Sequence, residues 1–460
     1  MIEGLKPYPD YKESGLPWLD EIPSHWDMTP NRALIREQKE QVGVEASKYT
    51  LLSLTLRGVI ARDMENPKGK FPAQFNTYKI VRPRDFVFCL FDIDETPRGV
   101  GLSNQKGMIT GAYDVFSPTS RVSAQFLYHY YLFVDGGKLM KPLYTGLRKT
   151  IQRGTFASLK TPLPPPEEQA AIVRFLDHAN RKIDGFIRTK RKLIGLLNEQ
   201  KQAIIHRAVT RGLDPDVPMK PSGLDWLGDV PAHWTVLRAK YVFREVDERS
   251  QTGDEELLSV SHLTGVTPRS QKNITMFKAE SYAGHKICRP GDLAINTMWA
   301  WMAALGFSDY LGIISPAYAV YRQHESEHLI PAYGDLLLRT APYKAEYLAR
   351  STGIRSSRLR LYPEEFFKIP LLIPPRDEQD RIVSEVSRDT SSVTDAITRT
   401  EREISLMQEY RTRLTADVVT GKLDVREAAA DLPDLAEEPA TEVLIEEDLN
   451  EEPELEEMEA

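Results

Sequence analysis

The chain is written twice. Residues 14–28 read SGLPWLDEIPSHWDM and residues 222–236 read SGLDWLGDVPAHWTV, with eight of fifteen positions identical, among them Trp18/Trp226, Pro23/Pro231, His25/His233 and Trp26/Trp234. A second pair of blocks follows at an offset of 210. Glu168, Gln169, Ile172 and Val173 match Glu378, Gln379, Ile382 and Val383, and Val209, Thr210, Leu213 and Asp214 match Val419, Thr420, Leu423 and Asp424. Between these blocks only scraps agree, such as Lys79-Ile80 with Lys286-Ile287, Arg82-Pro83 with Arg289-Pro290, and Thr145-Gly146 with Thr352-Gly353. The order is A–B–A′–B′. A period near 208 is far too long for a solenoid, so it predicts a duplicated two-part unit.

The B segments read as long helices. Each follows a proline stop, Pro164-Pro165-Pro166 or Pro374-Pro375, and carries acids in its first turn, where the helix dipole favours them. A 4-3 apolar stripe runs through the first: Ile172, Leu176, Ile183, Phe186, Leu193, Leu197 and Ile204. The second offers Ile382, Val386, Val393, Ile397, Ile404, Met407 and Leu414. Two stripes of equal length predict that the helices pair as an antiparallel coiled coil, a rod of roughly 65 Å at about 1.5 Å per residue. Such a pair would hold the A segments at its two ends about a pseudo-twofold axis.

The A segments mix short strand-like runs, such as residues 85–91 (DFVFCLF) and 114–116, with helix-like residues 343–350; residues 124–134 fit either state. The expected class is α+β: a globular domain over 1–166, a spacer helix over 167–211, a second domain over 212–375, a second helix over 376–424, and an acidic, disordered tail over 425–460.

Net charge is −8, but residues 425–460 hold fifteen acids and only Arg426 as a base; without that −14 the rest of the chain carries +6. A mildly basic body can meet a polyanion, which the tail would repel. Two cysteines, Cys89 and Cys288, suit a reducing compartment, and the first fifteen residues lack the apolar core of a signal peptide.

Catalytic signatures are missing. No phosphate loop, dinucleotide fingerprint, metal-binding His or Cys spacing, or aminomethyltransferase-type Asn/Asp-Pro-Pro-aromatic motif occurs. Asp10, Glu37 and Lys39 loosely echo a nuclease pattern without the strand context it needs. His25 and His233 read as structural groups in Pro-x-His-Trp turns. Nucleic-acid chemistry is better represented. Arg148, Lys149, Arg153 and Lys160 precede the first helix, and Arg350, Arg355, Arg358 and Arg360 precede the second. Recurrence of a basic patch at one place in both halves points to phosphate or guanine contact. Arg57, Arg62 and Arg269 are further candidates. Trp299 and Trp301 read as core packing more than as base-stacking groups.

The layout resembles the specificity subunit of a type I restriction-modification system. The carriers are the duplicated Gly-Leu-x-Trp-Leu-x-x-(Ile/Val)-Pro-x-His-Trp opening, the Glu-Gln-x-x-Ile-Val start of each long helix, and the Thr-Gly-(Leu/Ile)-Arg block before it. The resemblance implies two target-recognition domains, each reading half of a bipartite double-stranded DNA sequence. It implies that the helices set the spacer and help hold two modification subunits, which bind S-adenosylmethionine and methylate adenine. Restriction subunits using ATP and Mg would join them in the cytoplasm. The chain itself would be non-catalytic and need no cofactor or metal of its own. The alternatives are a nuclease or methyltransferase with an unfamiliar site, and a coiled-coil scaffold without a DNA role.

Overall fold

In the computed structural model, the described residues are 5–62, 75–93, 95–146, 149–271, 281–324, 328–353 and 359–433. The described residues form two compact units, residues 5–190 with 402–433, and residues 191–401. Each therefore takes one globular segment and a half of each long helix.

The strands of the first unit are short, and the central ones are buried on both faces. A four-stranded antiparallel sheet has the order Ile35–Gln38, Asp114–Pro118, Phe86–Phe88, Val100–Leu102. Phe86 and Phe88 face a cluster containing Phe116, Phe126, Tyr131 and Phe156. Val87 turns the other way, onto Leu52, Val59, Val81, Ile109 and Val115. This alternation is the period-2 rule with both faces of the sheet covered. Residues 124–134, ambiguous in the sequence, belong to the helix Ala124–Gly136; Ser123 caps it by accepting the Phe126 amide at 3.4 Å.

The second unit repeats the plan. Its sheet has the order Phe243–Val246, Ala319–Gln323, Leu293–Ile295, Leu305–Phe307. The flanking ribbons recur as well: Leu52–Thr55 with Gly58–Ala61 is matched by Leu258–Ser261 with Gly265–Pro268. Lys79–Val81 with Gly107–Ile109 is matched by Lys286–Cys288 with Gly312–Ile314. The expected helix over 343–350 is found within Ala341–Arg350.

The long helices run Pro166–Arg211 and Arg376–Val419, free of internal proline and each followed by a glycine of positive φ, Gly212 or Gly421. They pack antiparallel. In the first unit Asp184 meets Arg411 at 3.0 Å and Lys190 meets Glu403 at 2.6 Å. In the second, Lys201 donates to Thr394 at 3.0 Å.

The seam departs from the expected heptads in the first helix. Leu193 is 39% exposed, and Phe186, Leu197 and Ile204 are only partly buried. The covered positions are Ile172, Leu176, Ala179, Ile183, Ile187 and Ile205, with Ile194 half-buried. An α-helix turns every 3.6 residues, so a stripe stepped at 3.5 slides about 20° off the buried face per heptad. After three heptads from Ile172 the step lands on Leu193, while eleven-residue steps reach Ile183, Ile194 and Ile205. In the second helix the expected positions are all at least half-buried, and Thr390 and Thr400 complete the row with their hydroxyls donating to the carbonyls of Val386 and Ala396.

Of the expected disordered tail, residues 434–460 lie outside the described residues, while 425–433 are ordered. Arg426–Ala430 is helical, and Val425 and Ala429 are buried in the first unit's core, with Ala428 and Leu432 against it. Spacing i, i+3, i+4, i+7 gives this short stretch an apolar stripe that net charge had hidden.

Candidate nucleic-acid interface

The duplicated blocks prove to be two halves of one device. Glu168, buried at the start of the first long helix, accepts from Tyr8 Oη at 2.5 Å and from Trp26 Nε1 at 2.8 Å, and contacts His25 Nε2 at 2.8 Å. Gln169 beside it accepts the Ser123 amide at 2.7 Å and donates to the Pro164 carbonyl at 2.9 Å. The second unit does the same: Glu378 meets His233 Nε2 at 2.6 Å, and Gln379 accepts the Ile330 amide at 2.8 Å and donates to the Pro374 carbonyl at 3.0 Å. The Glu-Gln pair thus pins the Pro-x-His-Trp turn and the start of a domain helix to the long helix. Each histidine is thereby tied to the glutamate that opens its long helix. Desolvation and the neighbouring carboxylate push the Tyr8 hydroxyl well above the ordinary phenol range.

On these rigid bases sit the basic groups. Arg57 lies in the tip of the hairpin Leu52–Thr55/Gly58–Ala61, where its amide donates to Thr55 Oγ1 at 3.2 Å. Arg62 and Arg269 occupy equivalent places: their amides donate to the Leu51 and Leu257 carbonyls at 2.8 Å each. The two Thr-Gly blocks head equivalent bridged loops, Thr145 pairing with Thr150 and Thr352 with Arg360. The loop stems are tied alike, Ile151 to the Leu90 carbonyl and Leu361 to the Thr297 carbonyl. Arg148, Arg355 and Arg358 lie outside the described residues.

Several of the expected contacts are committed within the protein. Arg153 holds Asp114 at 2.7 Å and Glu37 at 3.4 Å, Lys149 faces Glu95 at 3.7 Å, and Arg350 holds Glu346 at 2.5 Å and Glu365 at 3.6 Å. Arg153 and Arg350 act first as internal clamps. Arg57, Lys160 and Arg360 have no side-chain partner among the described residues. Trp299 precedes and Trp301 lies within the turn Ala300–Met302, both partly exposed, with ring centroids 5.6 Å apart. In that place the first unit carries Asp92 and Glu95. Sequence reasoning missed Arg98 and Arg339, which donate to hairpin-tip carbonyls of Leu56 and His262. Neither belongs to a repeated block or a charge run, so no sequence signal marked them.

Among the described residues, no group of three His, Cys, Asp or Glu is placed to hold a metal ion. Glu37 is turned to Arg153 and Lys39. Cys89 and Cys288 are free and buried, and burial pushes the Cys288 thiol up to about 12. No helix among the described residues is long and apolar enough to cross a membrane.

Residues 104–194 match the family described as type I restriction modification DNA specificity domain. That segment spans the second half of the first domain and the first part of its long helix. The type I restriction enzyme MjaVIII specificity subunit of Methanocaldococcus jannaschii is 32% identical over 92 residues, which is 20% of this chain and 20% of that protein. A chain from a solved structure concerning complex assembly and conformational transition of the type I R-M system superposes with a TM-score of 0.55 at 14% identity, covering 87% of this chain and 99% of that one. The HsdS subunit from Thermoanaerobacter tengcongensis gives a TM-score of 0.39 at 14% identity over 87% of this chain and 98% of its own. In its matched segment this chain is similar to the DNA specificity domain of type I restriction-modification systems, and in its fold it is similar to a chain from a solved type I R-M structure.

Proposed function

We propose that the chain is the non-catalytic DNA-recognition subunit of a type I restriction-modification complex. Each unit reads one half of a bipartite duplex target, and the paired helices set the unread spacer and dock two modification subunits. Those subunits would bring S-adenosylmethionine. ATP and Mg would serve the restriction subunits that join them in the cytoplasm. The observation that carries this reading is one plan built twice with unlike loops. Pins, sheets and ribbons repeat, whereas the loop at Thr145–Thr150 is three residues shorter than that at Thr352–Arg360, and the adjoining turn is acidic in one unit and carries two tryptophans in the other. Sequence is read at base edges by such variable side chains, and phosphate contacts supply register.

Exchanging residues 1–166 for the matching segment of another such subunit tests it. The methylated sequence of the assembled complex is expected to change in one half only. A change in both halves, or in neither, defeats the modular reading.

A further inference from the structure

The two hairpins that repeat between the units share a feature that no repeated sequence block marks. Their tips present leucines to solvent, Leu56 at 65% and Leu263 at 52% exposure, Leu56 in the two-residue turn 56–57 and Leu263 in the three-residue turn 262–264. Each tip is held from below by an arginine from elsewhere in its own unit: Arg98 Nη2 donates to the Leu56 carbonyl at 3.0 Å, and Arg339 Nη2 donates to the His262 carbonyl. In the first unit Thr55 Oγ1 also donates to the Gly58 carbonyl at 3.1 Å and accepts the Arg57 amide, which stiffens the turn. Beneath the strands, Gly101 and Gly306 let the ribbons seat closely. A Cβ on Gly101 would lie 2.6 Å from Leu54, and one on Gly306 would lie 3.0 Å from Gly265. Two leucine-bearing tips are thus braced in the same way, each with a guanidinium against its backbone, and Arg57 in one of them has no side-chain partner among the described residues.

We infer that each hairpin enters the major groove of the DNA and that Leu56 and Leu263 each contact a thymine C5-methyl, one in each half of the target. This rests on the DNA-reading role proposed above. The major groove admits a two-stranded ribbon, and the thymine methyl is the apolar, base-specific group it displays. Positive charge at the tips draws them to the phosphates flanking that groove. Arg57, next to Leu56, is placed to take a neighbouring guanine in the first half-site.

The test is a selection from a random-core duplex library by the full-length chain assembled with its modification subunits, followed by replacement of each selected thymine by deoxyuridine, which removes only the methyl. The wild type is expected to lose about fourfold in affinity at one thymine in each half, the burial of one methyl-sized group expressed as a ratio. Leu56→Ala should lose sensitivity at the first-half thymine and keep it in the second; Leu263→Ala should do the reverse. Both leucines are exposed, so unchanged thermal melting is expected of the variants. If the wild type selects a bipartite sequence but both variants show its full deoxyuridine profile, this inference is overturned and the recognition role stands. If no sequence is selected, both fall.

Discussion

Glu168 and Glu378 hold the same turn in the two units, yet the first accepts from a hydroxyl and an indole and also meets a histidine, while among the described residues the second meets the histidine alone. Trp234 Nε1, the counterpart of the satisfied Trp26 Nε1, is buried without a partner among the described residues. The sheets differ in the opposite sense. Asp292 is held bidentately by Arg322 at 2.7 and 2.8 Å, and Arg322 also reaches Glu248 at 3.0 Å. Among the described residues the matching Asp85 has only Ser117, at 2.5 Å, beyond the Arg82 amide at 2.8 Å. Duplication preserved the geometry of each anchor and left its strength free to drift, so each unit is strongest where the other is weak.

Arg322→Ala should give the largest effect, about 3–5 kcal/mol, because it strands a buried carboxylate. Ser117→Ala should cost about 1 kcal/mol. Hydrogen exchange in Leu293–Ile295 and Phe86–Phe88 reads the two separately, and equal losses would end the contrast. At the pins, Glu168→Ala should cost roughly 3 kcal/mol by leaving Tyr8 and Trp26 as buried orphans, against roughly 1–2 kcal/mol for Glu378→Ala. Denaturant titration followed by tryptophan fluorescence orders them. Trp26→Phe should destabilise by about 2 kcal/mol more than Trp234→Phe, since only the first gives up a bond to a carboxylate; a larger loss at Trp234 would mean that its indole does find an acceptor.

The smallest effect is in pH. Burial raises the Asp85 carboxyl above its ordinary range. In that window the folded state binds more protons than the unfolded one, so stability falls as pH rises from about 3.9 toward the folded value, and the penalty is complete above it. Asp85→Asn should flatten that slope in the first unit's exchange rates. An unchanged slope would assign it to another group.

Much of this was legible in the sequence, and what was missed has physical causes. Equal spacing exposed both long helices and both copies of Glu-Gln and Pro-x-His-Trp. It gave no hint that these blocks bond to each other, because the partners stand over 140 residues apart in the chain. The heptad count failed at Leu193 through a tenth of a residue per turn, accumulated. Charge drew attention to Arg153 and Arg350, but a cation in a sequence does not reveal the carboxylates that fold against it. Arg98 and Arg339 were overlooked for the complementary reason: isolated residues become visible only once a distant carbonyl is placed beside them.

Tyr8 and Trp26 share a core with Leu414, Val418, Val419 and Val425, and Lys6 bridges Asp424. Synthesis on a ribosome therefore inverts the usual order. The domain translated first waits, partly unsealed, while the second acquires all of its helical support, and it is completed only when residues near 425 emerge. A translation arrest between 380 and 400 would leave the early domain with its hydrophobic floor missing, a state that chaperones and proteases are well equipped to notice.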